Sequence, residues 1–262
     1  MKIGIFDSGL GGLSVLNEAL SKLSEHGFLY YADVKNVPYG QKSRDEILKF
    51  SFDAVKFLIE NGAKAVVVAC NTATSVAIKE LRANLNVPII GMEPAVKKAH
   101  DLSHDDALKT LVIATPVTVN GAKLKELIAN LHAKDKTELL ALPRLVNFAE
   151  NGEFDTENVK SYLKEELAKF DLNKFGFLVL GCTHFNYFKD SLREILPSNI
   201  SIIDGNEGTI NRLISELGLQ ISNANLTSNV KFFYSGAEMY EQSELDKISR
   251  NLTRLEKMRE IY

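Results

Sequence analysis

The chain has 262 residues, 45% of them hydrophobic and 25% charged, with a formal net charge of −3. That is ordinary globular composition, enough for one large domain or two smaller ones, and its scattered charges leave no basic face for nucleic acid. No apolar run approaches the roughly 20 residues that span a bilayer, and the opening MKIGIFDSGLGG lacks the pattern of a secretory leader, so no membrane partner, a cytoplasmic location and free thiols at both cysteines are expected.

In chain order, short apolar runs bounded by turn residues predict strands over 2–6, 28–32, 65–69 and 87–91, with helices over 13–23, 44–59 and 74–85. The second half repeats the rhythm with strands over 110–114, 138–142, 177–181 and 200–204 and helices over 121–131, 158–170 and 188–196. From Ile5 through Tyr30 and Val68 to Ile89 the strand centres step by 25, 38 and 21 residues; from Ile113 through Leu140 and Leu180 to Ile202 they step by 27, 40 and 22. Strands alternating with helices imply parallel sheets covered on both faces. The expected fold is therefore α/β: two pseudo-symmetric doubly wound domains with mainly parallel sheets and a site in the cleft between them. The tail adds a helix over 207–217, the polar loop NANLTSN, a strand over 230–234 and a helix over 239–258. From the periodicity alone it either extends the second domain or crosses back to the first.

In open parallel sheets ligands bind beyond the carboxyl ends of the strands. The residues there are Asp7 and Ser8, Tyr39 and Gly40, Cys70, Asn71 and Thr72, then Thr115 and Thr118, Glu150, and Cys182, Thr183 and His184. Each cysteine falls at a strand-to-helix turn, where free backbone N–H groups favour a thiolate or a bound carboxylate. A lone free cysteine is commonly just a small buried apolar residue. Two of them, at matched strand tips and each followed closely by threonine, point instead to paired chemistry. The other histidines, His26, His100, His104 and His132, read as structural or exposed. The run DSGLGG is a loose match to a dinucleotide loop, with Asp33 as its acidic residue, but it does not give G-x-G-x-x-G. A zinc site at Cys70, Cys182 and His184 would need ligands from distant segments, with no C-x-x-C or H-x-x-x-H in support, so no metal is expected.

Two opposed thiols suit a proton relay. One thiolate takes the proton from the Cα of a small amino acid, and the other thiol delivers a proton to the opposite face. The carbanion between these steps needs preorganised donors on the α-carboxylate and a closed, water-poor cleft.

The segments FDSGLGGLSV, VPYG, ACNTA and GCTHF, in that order and spacing, resemble the glutamate racemases of the cofactor-independent Asp/Glu racemase family. The resemblance implies two pseudo-symmetric α/β domains, here 1–94 with 206–262 and 95–205, the last strand and helix returning to the first. It implies interconversion of L- and D-glutamate for peptidoglycan without a cofactor, and a homodimer. By position, Cys70 and Cys182 would be the acid/bases, Asp7 assisting Cys70 and His184 assisting Cys182. Ser8, Tyr39, Gly40, Asn71, Thr72, Thr183 and His184 would line the glutamate site. Thr115 and Thr118 would help hold a carboxylate, and Glu150 would orient His184. The chain departs from the family pattern at Asn186, where proline is frequent, and at Asn147 and Asn151 in LVNFAENG. An aspartate racemase of the same chemistry and a non-catalytic amino-acid binding protein are the alternative readings.

Overall fold

The structure, a computed structural model, describes residues 1–92, 95–103, 107–222 and 229–262. Its first half runs β1 (Lys2–Asp7), α1 (Leu13–Lys22), β2 (Gly27–Ala32), α2 (Arg44–Glu60), β3 (Ala65–Val68), α3 (Asn71–Asn84) and β4 (Ile89–Gly91). The second runs α4 (Val96–Leu102), β5 (Lys109–Ala114), α5 (Pro116–Asn120), α6 (Ala122–Asn130), β6 (Thr137–Ala141), α7 (Arg144–Glu150), α8 (Glu157–Leu167), β7 (Phe175–Gly181), α9 (Lys189–Ile195) and β8 (Ser201–Ile203). The tail is α10 (Asn206–Leu217), β9 (Val230–Tyr234), β10 (Ala237–Glu238) and α11 (Gln242–Met258).

The strands form two sheets, ordered β10-β9-β2-β1-β3-β4 and β6-β5-β7-β8. The four strands of the second sheet are wired like β2-β1-β3-β4 of the first, so the repeated spacing of the sequence becomes a repeated topology. Every pairing is parallel except β9 with β10. Ile5 stands opposite both Tyr30 and Val67, and Ile113 opposite both Leu140 and Leu180. All four residues of β3 are buried, as expected of a parallel strand covered on both faces.

The tail strand β9 pairs with β2, setting Phe232 opposite Tyr30, and so extends the first sheet. Its helix α11 packs on α1 and on the 3-10 turn Thr183–Phe188 that follows β7. One apolar core is continuous from Ile5 and Leu16 through Phe185 and Tyr187 to Ile113 and Leu255. The floor between the halves is therefore packed core. The division expected at residue 94 falls on residues outside those described, as does most of the polar loop, residues 223–228.

The sequence reading and the structure differ at element ends. The final helix starts at Gln242 because Ala237 and Glu238 first fold back on β9, through a turn in which Ser235 and Gly236 both take positive φ (46° and 91°). That is the backbone a tight hairpin demands, and two paired residues are too few to show period-2 alternation. The helix predicted from residue 74 begins at Asn71, because Cys70 caps it: its sulfur accepts the Ala73 N–H at 3.4 Å. Helices α4, α5 and α7, of seven, five and seven residues, have no counterpart among the predicted helices.

Candidate active site

Asp7 is the last residue of β1, Cys70 lies two residues past β3, and Thr115 and Cys182 directly follow β5 and β7. These carboxyl-terminal tips converge on a small cavity. Ser8, Tyr39, Gly40, Cys70, Asn71 and Thr72 line it from the first half, and Thr115, Cys182, Thr183 and His184 from the second. Pro38 and Val146 complete the wall. Neither was legible from residue chemistry, since a proline and a valine carry no reactive group. Asp7, Thr118 and Glu150 stand behind the lining. His104 lies outside the described residues, and His26, His100 and His132 are not in the cavity wall.

Both cysteines lie in the wall. On one side the Cys70 thiol donates to the Ser8 hydroxyl at 3.5 Å. Burial, and after it the negative charge of Asp7, pushes this thiol from an ordinary value of 9.0 up to about 12. Asp7 acts on Cys70 through charge. Its own hydrogen bonds come from the Gly9 N–H at 2.9 Å and from the Thr183 hydroxyl, across the cleft, at 3.0 Å. Burial raises the Asp7 carboxyl, and the nearby His184 offsets part of that.

On the other side the Cys182 sulfur lies 3.8 Å from His184 Nδ1, whose Nε2 bonds Glu150 at 2.6 Å. Burial works to discharge this imidazole, but its contacts with Cys182 and Glu150 outweigh it and hold the ring protonated well above its ordinary range. Burial likewise works against the Glu150 carboxylate, and the imidazolium outweighs it, keeping that group below its usual value. The same Glu150 oxygen accepts the Leu10 N–H at 2.7 Å. Asn186, which replaces a frequent proline, returns its amide to the Thr183 carbonyl at 3.1 Å and closes this turn.

Thr72, Thr115 and Thr118 bring three hydroxyls together, at 2.9, 3.1 and 3.4 Å. Thr72 belongs to the first turn of the fourteen-residue α3, whose first N–H groups favour a carboxylate. Asn71 is 5% exposed, and neither its amide nitrogen nor its oxygen has a partner within the protein. Leaving such a group unpaired costs on the order of 1–3 kcal/mol, which a ligand with both charged ends would recover. Asp33 is not free for a ribose: it accepts the Tyr39 hydroxyl at 2.7 Å and the Ser235 hydroxyl at 2.8 Å. The glycines of DSGLGG serve close packing. A Cβ on Gly9 would run into the Glu150 carboxylate, and one on Gly11 would lie 2.5 Å from the Thr183 hydroxyl.

The Cys70 shift has a sign that can be checked. A thiol whose folded pKa is raised stabilises the fold fully below its unfolded value, and that stabilisation is lost as pH climbs from about 9 toward 12. The melting temperature of the wild-type protein should therefore fall more steeply above pH 9 than that of Cys70→Ser, in matched thermal melts.

A family model described as Asp/Glu/Hydantoin racemase matches residues 7–213. The chain is 89% identical to a glutamate racemase of Campylobacter concisus (strain 13826) over the full length of both. It is 65% identical to a glutamate racemase of Campylobacter curvus (strain 525.92), again over all of both chains. Among solved structures, a glutamate racemase from Campylobacter jejuni subsp. jejuni superposes with a TM-score of 0.82 at 30% identity, covering 97% of this chain and 98% of that one. With the strand-tip cysteines and the repeated sheet topology, these likenesses place the chain in the Asp/Glu/hydantoin racemase family.

Proposed function

We infer that this chain interconverts L- and D-glutamate by proton transfer at Cα between two thiols, supplying D-glutamate for peptidoglycan. The observation behind this reading is that Cys70 and Cys182, the only cysteines, line one cavity from opposite halves of the chain. Take the enantiomer whose Cα–H bond faces Cys182. The sulfur of Cys182 takes the proton, and the electron pair left on carbon spreads into the carboxylate, held by the threonine hydroxyls and the α3 N-terminus. The Cys70 S–H then gives its proton to the opposite face. The thiols have exchanged protonation states, nothing is oxidised or reduced, and no cofactor or metal enters the step. Asn71 supplies unpaired donors and an acceptor for the charged ends of the amino acid.

Among the described residues no helix is long and apolar enough to cross a membrane. A cytoplasmic location and a homodimer rest on the family resemblance.

Circular dichroism of L-glutamate and L-aspartate with the purified protein tests the substrate. One methylene is worth about 1–3 kcal/mol of discrimination, so kcat/KM for glutamate should exceed that for aspartate by about tenfold or more. Faster loss of the aspartate signal would give the chain to the other substrate.

A further inference from the structure

We propose that Arg254, on the C-terminal helix, is a positioning residue for the Cys182–His184 pair, acting through Tyr187 and the backbone of Leu10. This rests on the racemase reading above.

The chain of contacts is short and mostly buried. Arg254 Nε donates to the Tyr187 carbonyl at 3.0 Å, and its Nη2 reaches both Asp190 oxygens, at 2.9 and 2.8 Å. The guanidinium also lies over the Phe154 ring, 4.8 Å from its centroid, and Phe154 stacks on Tyr187 with the same spacing. Tyr187 is thus gripped at its backbone and its ring. Its hydroxyl, fully buried, donates to the Leu10 carbonyl at 2.9 Å. The other side of Leu10 donates its N–H to Glu150, which holds His184, which lies against Cys182. Tyr30 braces the preceding carbonyl, Gly9, in the same manner at 2.8 Å.

Three elements far apart in sequence therefore meet on one loop. Its N–H groups point at the Asp7 and Glu150 carboxylates, and its carbonyls at two tyrosines. The Leu10 N–H shares its peptide plane with the Gly9 carbonyl that Tyr30 holds, and Tyr187 fixes the next plane through the Leu10 carbonyl, so Leu10 is pinned on both sides and its N–H stays aimed at Glu150. A misaimed proton-transfer group loses rate steeply. Asp7 bonds the loop at Gly9, one residue earlier, so loss of the Tyr187 anchor falls mainly on Glu150 and the Cys182 side. Only a forked guanidinium holds the Tyr187 carbonyl and Asp190 together, and a lysine would lose that geometry.

The test uses Arg254→Met, Arg254→Lys and Tyr187→Phe in the full chain, with racemisation followed in both directions on Cα-protiated and Cα-deuterated glutamate. All three should lower kcat, Tyr187→Phe and Arg254→Met by about tenfold, with KM within about twofold of wild type. Proton transfer at Cys182 then becomes more rate-limiting. The primary isotope effect should rise in the direction in which Cys182 takes the label and fall in the direction in which Cys70 takes it. Tyr187→Phe keeps the ring stack, so it answers even where Arg254→Met folds poorly. Isotope effects that move together in both directions, or an unchanged kcat with only a lower melting temperature, would overturn the brace. Wild type measured in parallel separates the claims: no glutamate racemisation there overturns the function and the brace with it, whereas active wild type with symmetric variants overturns the brace alone.

Discussion

Replacing Cys70 or Cys182 by serine lowers the kcat for glutamate racemisation by about a thousandfold or more in both directions, while glutamate still binds. General acid–base groups typically contribute 10²–10⁴-fold, and in the proposed relay each sulfur serves both as base and as acid in a complete reaction cycle. A serine hydroxyl is far too weak an acid to stand in for either role. The loss is bidirectional because each direction needs both faces of Cα. It falls on kcat because the groups assigned to the carboxylate, Thr72, Thr115 and Thr118, and the unpaired Asn71 amide are untouched. The two variants differ in what remains. Cys70→Ser leaves the Cys182–His184–Glu150 line intact, whereas Cys182→Ser removes the partner of His184. Two single losses that each match the double variant would mark the thiols as one functional unit. Stepwise, additive losses would mark them as independent.

The second large effect belongs to a residue with no side chain. Gly11→Ala should cut kcat by about a hundredfold and destabilise the fold by about 1–3 kcal/mol. A methyl group there meets the Thr183 hydroxyl at 2.5 Å and His184 Cγ at 2.7 Å, and both residues are 2% exposed. Either the loop withdraws, taking Leu10 N–H away from Glu150, or the imidazole turns away from Cys182. Gly208→Ala is the control, since nothing lies within 4 Å of its Cβ position in α10. That change should leave kcat unchanged and stabilise the helix slightly. Wild-type activity in Gly11→Ala, measured beside a normal melting curve, would show that the loop is not held as tightly as its contacts require.

Strand tips were legible in the sequence because their signals are local. Buried apolar runs ending on Asp7, Cys70, Thr115 and Cys182 need only a few residues each, and the matched steps between them carried the pseudo-symmetry. The role of DSGLGG was not local. Its glycines look like a phosphate loop until their neighbours are known, and those neighbours, Glu150 and His184, lie about 140 and more residues away. Asp33 was in the same position, looking like a ribose ligand while its partners are Tyr39 and Ser235. The buried tyrosines Tyr30 and Tyr187 also gave no signal, because a phenol bonded to a distant carbonyl reads in sequence as one more core aromatic. Whether the tail crossed back was likewise undecidable from period and composition, since β9 finds its partner β2 some 200 residues earlier.

The most direct test of two thiols on opposite faces of one carbon is racemisation of protiated L-glutamate in deuterium oxide, sampled at the first few per cent of conversion. The D-glutamate formed should carry deuterium at Cα in nearly every molecule, while the unreacted L-glutamate stays protiated, because the proton removed goes to one sulfur and the replacement comes from the other. The same asymmetry should appear starting from D-glutamate. D-glutamate that retains the original protium, or an L-glutamate pool that gains deuterium as fast as product forms, would mean that a single group serves both faces and would contradict the relay.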